Sequence, residues 1–360
     1  MTPNAAATAA AADPTVTVVA SHLNNPRSLA FDEDGNLWVT EAGKGGSECI
    51  PTPGGPTNPT CFGLTGSVGR IHDGRVARVF TGLASLAGQD GSFGFGPFGI
   101  SALGDNIYFD LGESSFAVPP GLSPGLTAKL LDQLGHLMRA NTDGSGLTSF
   151  ANVGGFDYTW ADQHKSLVPA QFPDADPYGL QVRNHDGFKI FLADAASNTL
   201  DEINRSGGIT IDTFIPNPPA SDAVPTCVAQ GPDGALYIGQ LTGAGNGAGV
   251  ANVYRFTPHS GLTLWQTGFS AIDGCGFGSD GSFYVTELDL TGFPPSGTPA
   301  GAVIKIARDG TRTTLGAGKL FAPNGFAAGR DGSIYVANWS ILSGSGPKGA
   351  PTGEVVRISG

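Results

Sequence analysis

Basic residues are scarce in this chain of 360 residues: 19 Lys and Arg stand against 31 Asp and Glu, a net charge of −12. A surface of that sign repels phosphate backbones and anionic lipid, and no basic cluster offsets it, so nucleic acid is excluded as a natural partner. No apolar run approaches the roughly 20 residues that a membrane-crossing helix requires. Familiar catalytic signatures are missing as well. There is no G-x-S-x-G elbow, no H-E-x-x-H, and the six histidines are not clustered. Nor is there a nucleotide or flavin signature. Gly94-Phe95-Gly96-Pro97-Phe98-Gly99 fits G-x-G-x-x-G by letter, but it carries a proline and leads into a strand rather than a helix. The first residues, Met1-Thr2-Pro3 and an alanine-rich tract through Ala12, lack a basic start and a hydrophobic core. They read as a tail left by a trimmed signal peptide, with residues 1–14 expected to be disordered.

Glycine and proline are in excess, at 56 and 26 residues, about twice their average usage. Each glycine costs a helix interior about 1 kcal/mol relative to alanine, so an all-helical protein is excluded. Apolar residues still reach 40%, enough to bury a core. The combination predicts a β protein rich in turns.

A pattern of strand, Gly-containing turn and strand ending in an aromatic–aliphatic pair recurs along the chain. It runs first through Pro26-Arg27-Ser28-Leu29-Ala30-Phe31, Asp34-Gly35 and Leu37-Trp38-Val39-Thr40-Glu41. It returns at Gly104-Asp105 with Ile107-Tyr108-Phe109 and at Asp186-Gly187 with Ile190-Phe191-Leu192. Asp233-Gly234, Asp280-Gly281 and Asp331-Gly332 complete the set, at spacings of 47 and 51. Asp-Gly supplies the positive φ of tight hairpins, and alternation on either side suits half-buried strands. A second hairpin follows each copy, turning for example at Asp73-Gly74 and Asp309-Gly310. Two hairpins make a four-stranded propeller blade.

The sixth copy ends after Gly353-Glu354-Val355-Val356-Arg357-Ile358 without an outer strand, and Val16-Thr17-Val18-Val19-Ala20 can supply it from the other end of the chain. The fold is therefore expected to be all-β, a six-bladed propeller over residues 15–360 closed by N-to-C strand pairing. Two insertions interrupt it, at 43–65 and about 111–176. The second holds one short helix, Thr127 to Leu134, ended by Gly135. Long loops at one end of a propeller are a natural place for a ligand site.

Several motifs resemble the ScyD/ScyE family of exported bacterial propellers. They include Asn25-Pro26-Arg27, Glu41-Ala42-Gly43-Lys44-Gly45-Gly46, Cys61-Phe62-Gly63-Leu64-Thr65-Gly66-Ser67-Val68, Asp176-Pro177-Tyr178-Gly179, Leu192-Ala193-Asp194-Ala195 and Gly310-Thr311-Arg312-Thr313-Thr314. The resemblance covers nearly the whole chain from about residue 15. It implies a secreted or periplasmic protein with a six-bladed, NHL-like propeller, and it says little about chemistry. Gln240 departs from it, where the family leads one to expect Glu.

In an exported protein, Cys49 and Cys61 are expected to close a small loop by a disulfide. Cys227 and Cys275 fall at nearly the same point of adjacent inner strands. They either bridge or are two small buried residues.

Aligning the copies puts Arg27, Phe98, Tyr178, Thr226, Asp273 and Asn324 in one ring near the channel mouth. Asp273-Gly274 and Asn324-Gly325 resemble the inner-strand starts of gluconolactonase and senescence-marker propellers, a likeness that implies a divalent cation, commonly calcium, at Asp273 and Asn324. Arg27 opposes such an ion by about 5 kcal/mol at roughly 6 Å and an effective dielectric of about 20. Two oxygen ligands are also few for calcium. The alternatives are an Arg27–Asp273 ion pair that anchors a ligand, with Arg27, Phe98, Tyr178 and Thr226 as its binding residues, or a purely structural plug. A second column, Glu41, Leu111, Asp194, Gln240, Glu287 and Asn338, follows the aromatic–aliphatic pairs. Its acids either tie down turns or, for Glu41 and Glu287, join Asp273 as catalytic carboxyls. Two loop histidines, His164 and His185, flank the third inner strand.

The function expected is binding of a small organic molecule, aromatic by the family resemblance, at the loop-rich channel mouth. Chemistry on it would be oxidative coupling or metal-assisted hydrolysis. The alternative is a non-enzymatic binding protein or an interaction scaffold with a protein partner.

Overall fold

The computed structural model describes residues 14–51, 59–167, 173–184, 186–295, 297–341 and 353–359. Apart from Pro14, the expected N-terminal tail lies outside the described residues, as does His185. Five sheets of four antiparallel strands, and a sixth in which Glu48–Ile50 is added at the insertion, form the six blades of a propeller. In the last blade Thr15–Leu23 pairs antiparallel with Gly353–Ser359, so the two ends of the chain close the ring as expected.

The hairpins form where the sequence supplies positive φ. Gly35, Gly234, Gly281 and Gly332 sit at φ 85°, 79°, 76° and 82° in the turns after the inner strands. The aspartates of three of these turns also pair with a basic residue on the third strand of their own blade: Asp233 with Arg255, Asp280 with Lys305 and Asp331 with Arg357. Second strands such as Leu37–Glu41, Leu236–Gln240 and Phe283–Glu287 are buried at every position, because a neighbouring blade covers each face. Cores therefore form between blades. Trp38, Phe80 and Phe109 stack in one, and Tyr237, Trp265 and Phe283 pack edge to face in another.

The second insertion holds two helices rather than the one expected. The first, α1, spans Pro124–Gln133 and begins three residues before the expected Thr127, since proline suits the first helical turn. The second, α2, spans Val153–Gln163. Gly154 and Gly155 in its first turn disguise it, but Asn152 caps it by accepting the Gly155 N–H at 2.9 Å. A side chain at Gly154 would meet Gly135 Cα at 2.8 Å, so this helix start must be slim.

Pro26 pairs opposite Glu41 and Pro97 opposite Leu111, so both insertions leave from the end of the channel at which the inner strands begin. Both cysteine pairs are bridged: Cys49–Cys61 as expected, and Cys227–Cys275 between the inner strands of the fourth and fifth blades. Disulfides of this kind persist in oxidising compartments. No helix among the described residues is long and apolar enough to cross a membrane.

Candidate functional site

Each inner strand contributes a side chain from its start, the end away from the hairpin turn, to a ring around the channel axis. Glycine after the ring residue lets adjacent strands approach. A Cβ on Gly179 would lie 2.8 Å from Cys227 Cα, one on Gly274 2.7 Å from Gly325 N, and one on Gly325 2.3 Å from Arg27 O. Only backbone fits there, which draws the six ring residues together. They head a cavity of about 330 Å³ that runs along the inner strands to Phe31, Gln181, Gln230, Phe277 and Ala328 at the hairpin-turn end. None of the residues lining it comes from the two insertions. The cavity lies inside the ring of strands, with the six ring residues as its polar head at the loop end.

Three ring residues share hydrogen bonds. Tyr178 Oη donates to Asp273 Oδ1 at 2.7 Å. Asn324 Nδ2 donates to Asp273 Oδ2 at 2.8 Å and to Tyr178 Oη at 3.0 Å. Asp273 is 2% exposed. Burial pushes its carboxyl up to about 6, against the opposing pull of the Arg27 charge and the Tyr178 hydroxyl. Burial and the Asp273 charge both raise the Tyr178 phenol well above its usual value, so it remains a hydrogen-bond donor.

The other three ring residues have narrower roles. The Arg27 guanidinium lies 5.2 Å over the Phe98 ring and gives Nη2 to Gly94 O. Its Nε is buried without a partner. No ion pair with Asp273 forms among the described residues, although the Arg27 charge still reaches Asp273. Phe98 packs against Tyr178 with ring centroids 4.4 Å apart and the planes tilted by 37°. Thr226 spends its hydroxyl on Ile272 O at 2.6 Å.

The ring does not present a calcium ligand set. Asn324 Oδ1 is held by the Gly325 N–H at 2.6 Å, which turns the amide NH2 rather than the carbonyl oxygen toward Asp273. Asp273 is left as the one carboxylate, with both oxygens already accepting hydrogen bonds and the Arg27 charge nearby. Hard cations take six to eight oxygens, so these residues fit the ion poorly.

Glu41 and Glu287 stand apart from the cavity. Glu41 accepts the Asn24 N–H at 2.7 Å and the Ser67 hydroxyl at 2.9 Å, and is paired with Arg78. Glu287 accepts the Ser270 N–H at 2.7 Å, and burial lifts its carboxyl to about 7. Asp194 and Asn338 accept Asp176 N–H and Phe321 N–H in the same way. Four of the six column residues thus brace the segment that leads into an inner strand, and the geometry brings no Glu41–Glu287 pair together. Gln240 breaks the pattern: its carbonyl accepts Asn252 N–H, and its Nε2 is buried without a partner. His164 Nδ1 meets Trp160 O at the end of α2, away from the channel.

One group of residues escaped the sequence reading. Glu113, Asp157, Asp174, Asp176, Asp194 and Asp201 gather around the second insertion and the third blade, with burial raising each carboxyl. Asp176 and Asp194 were visible as parts of family-like motifs. Their convergence with a helix disguised by two glycines was not.

No protein-family model and no curated protein matches the sequence. Solved structures do match along most of the chain. A gluconolactonase of Xanthomonas campestris is 11% identical, with 96% of this chain and 89% of that one covered and a TM-score of 0.54. A Bacteroides thetaiotaomicron protein of unknown function is 10% identical, over 96% and 76% of the two chains, at 0.55. A Thermus thermophilus protein provisionally assigned as an oxidoreductase (glucose dehydrogenase) is 14% identical, over 96% and 99%, at 0.50. Identities this low speak to architecture alone, and the ScyD/ScyE resemblance rests on the sequence motifs. By architecture the chain is a six-bladed β-propeller, similar to propellers among which a gluconolactonase is found.

Proposed function

We propose that this is an exported propeller that binds a small organic molecule in the central channel and carries out proton-transfer chemistry on it. The observation that carries the reading is Asp273, buried at the head of a cavity of about 330 Å³ and held by Tyr178 and Asn324. That volume lies in the range of small-ligand pockets. With its carboxyl pushed up to about 6, Asp273 exists in both protonation states near neutral pH. It is therefore suited to take a proton from a ligand and return it. Tyr178 supplies a hydroxyl beside it, Arg27 a buried positive charge, and Phe98, Phe31 and Phe277 apolar walls. An aromatic ligand, as the ScyD/ScyE resemblance implies, suits those walls. The gluconolactonase among the structural neighbours is described as important in glucose secondary metabolic pathways, so a lactone is the second ligand class to try. The two disulfides support export.

A thermal-shift screen of phenols and lactones against the intact protein and Asp273→Asn tests the reading. Expected are ligands that raise the melting temperature of the parent by several degrees and fail on a folded Asp273→Asn variant. Ligands that bind both equally, or a parent inert to the whole panel while it retains a protein partner, would favour the scaffold alternative.

A further inference from the structure

Helix α2 buries Val153, Asp157 and Ala161, one turn apart from each other, as a single stripe. An aspartate at the centre of an apolar stripe is costly unless something answers its charge. Asp157 is fully buried and reaches the third blade, where its carboxyl lies against Asp194, at the end of Lys189–Asp194, and Asp201, within Thr199–Asn204. Asp194 is already answered, since it accepts the N–H groups of Asp176, Ala196 and Ser197. Asp157 is not: its two carboxyl oxygens are buried without a donor, and what they meet are the carboxyls of Asp194 and Asp201, the latter with the Thr199 hydroxyl beside it. The charges that weigh most on Asp157 and on the neighbouring Asp176 are those of other carboxylates.

We propose that the junction between α2 and the third blade is a divalent-cation site, with Asp157 and Asp201 as its carboxylate ligands and Asp194 as an adjacent third charge. The unpartnered Asp157, fully buried and aimed from the helix into a pair contributed by the blade, is what separates this junction from a mere acidic patch. A hard, oxygen-seeking ion such as calcium is the chemical match for carboxylates without nitrogen or sulfur donors. No three His, Cys, Asp or Glu side chains among the described residues are grouped as one ligand set, so the proposed ion needs backbone carbonyls or water for its remaining oxygens. The bound ion pins α2 to the blade whose inner strand carries Tyr178. It is a site apart from the channel ring and does not depend on the proposed function.

Terbium is a calcium-like ion whose luminescence is excited through nearby tryptophan, and Trp160 lies three residues beyond Asp157 on α2. Chelator-treated protein excited at the indole band is expected to give saturable terbium luminescence that calcium displaces. Millimolar calcium is expected to raise its melting temperature by several degrees. Asp157→Asn and Asp201→Asn should each weaken terbium and calcium binding at least tenfold, and Asp273→Asn should leave both unchanged. If either junction variant fails to fold, equilibrium dialysis of the parent against calcium decides, with one ion per chain expected, retained in Asp273→Asn. The proposal is overturned if the parent binds neither ion, or if binding is lost in Asp273→Asn and kept in the junction variants. It is equally overturned if Asp157→Asn is as stable as the parent with and without calcium, the mark of carboxyls that merely share a proton.

Discussion

Tyr178 and Asp273, 95 residues apart in the chain, meet across the channel with Oη 2.7 Å from Oδ1. The hydroxyl is one of two side-chain donors to that carboxyl, the other being Asn324 Nδ2. Tyr178→Phe is therefore expected to raise the Asp273 pKa further above about 6, because burial persists while a donor is lost. Any pH–rate or pH–binding profile governed by Asp273 should shift to higher pH by up to about one unit, a loss of roughly 1 kcal/mol in stabilisation of the charged form. Titration of the Asp273 carboxyl by NMR in the two proteins checks this, and an unmoved profile would detach Tyr178 from the proton chemistry.

Stability should fall as pH rises through the neutral range. Asp273 and Glu287 have carboxyls raised by burial to about 6 and about 7, from ordinary values of 3.8 and 4.5. Between the ordinary and raised values the folded state holds more protons than the unfolded state. The stabilisation is therefore complete below the ordinary values and is lost as pH climbs through about 6 and about 7. Each group contributes on the order of 3 kcal/mol at most. Melting temperatures in chelator at pH 5.5 and 8.5 should show the decline, and Asp273→Asn should flatten it.

Glu41 and Glu287 serve the same brace but should respond differently to neutralisation. Glu41 is fully buried and paired with Arg78, so Glu41→Gln is expected to cost about 3 kcal/mol. Glu287 receives a backbone N–H and is already partly protonated near pH 7, so Glu287→Gln should cost under about 1 kcal/mol. Urea titrations of both variants at pH 7 separate these outcomes. Ligand binding should survive in either variant once folded. A folded Glu41→Gln protein that had lost activity would restore the catalytic reading.

The Cys227–Cys275 bridge joins two neighbouring blades beside the ring, across 48 residues of chain. Replacing both cysteines by serine removes a constraint on the unfolded chain worth about 2–4 kcal/mol. Since Cys227 and Cys275 both line the cavity, ligand affinity should fall as well. The paired measurement is denaturant unfolding and thermal shift of the double variant with and without ligand.

Blade number, hairpin turns and ring closure were legible because each is local. Gly-containing turns between paired strands recur in every copy, and the missing outer strand had one obvious donor, Val16 to Ala20, which falls within Thr15–Leu23. The ring of Arg27, Phe98, Tyr178, Thr226, Asp273 and Asn324 was legible for a related reason: equal register in each repeat sends equal positions to the axis. Helix α2 was hidden, since Gly154 and Gly155 look like a loop until packing against Gly135 explains the first of them. The orientation of the Asn324 amide and the diversion of Arg27 to Gly94 were equally out of reach.

Composition and periodicity were thus enough for a closed six-bladed ring and for the residues that face its axis, because backbone turns and strand alternation act over a few neighbours. Hydrogen bonds such as Asn324 to Tyr178, 146 residues apart, exist only once the ring has closed. The same holds for the meeting of Asp157 with the third blade. Tertiary packing decides there which polar atoms lose water, and so which of them must find a partner, a proton or an ion.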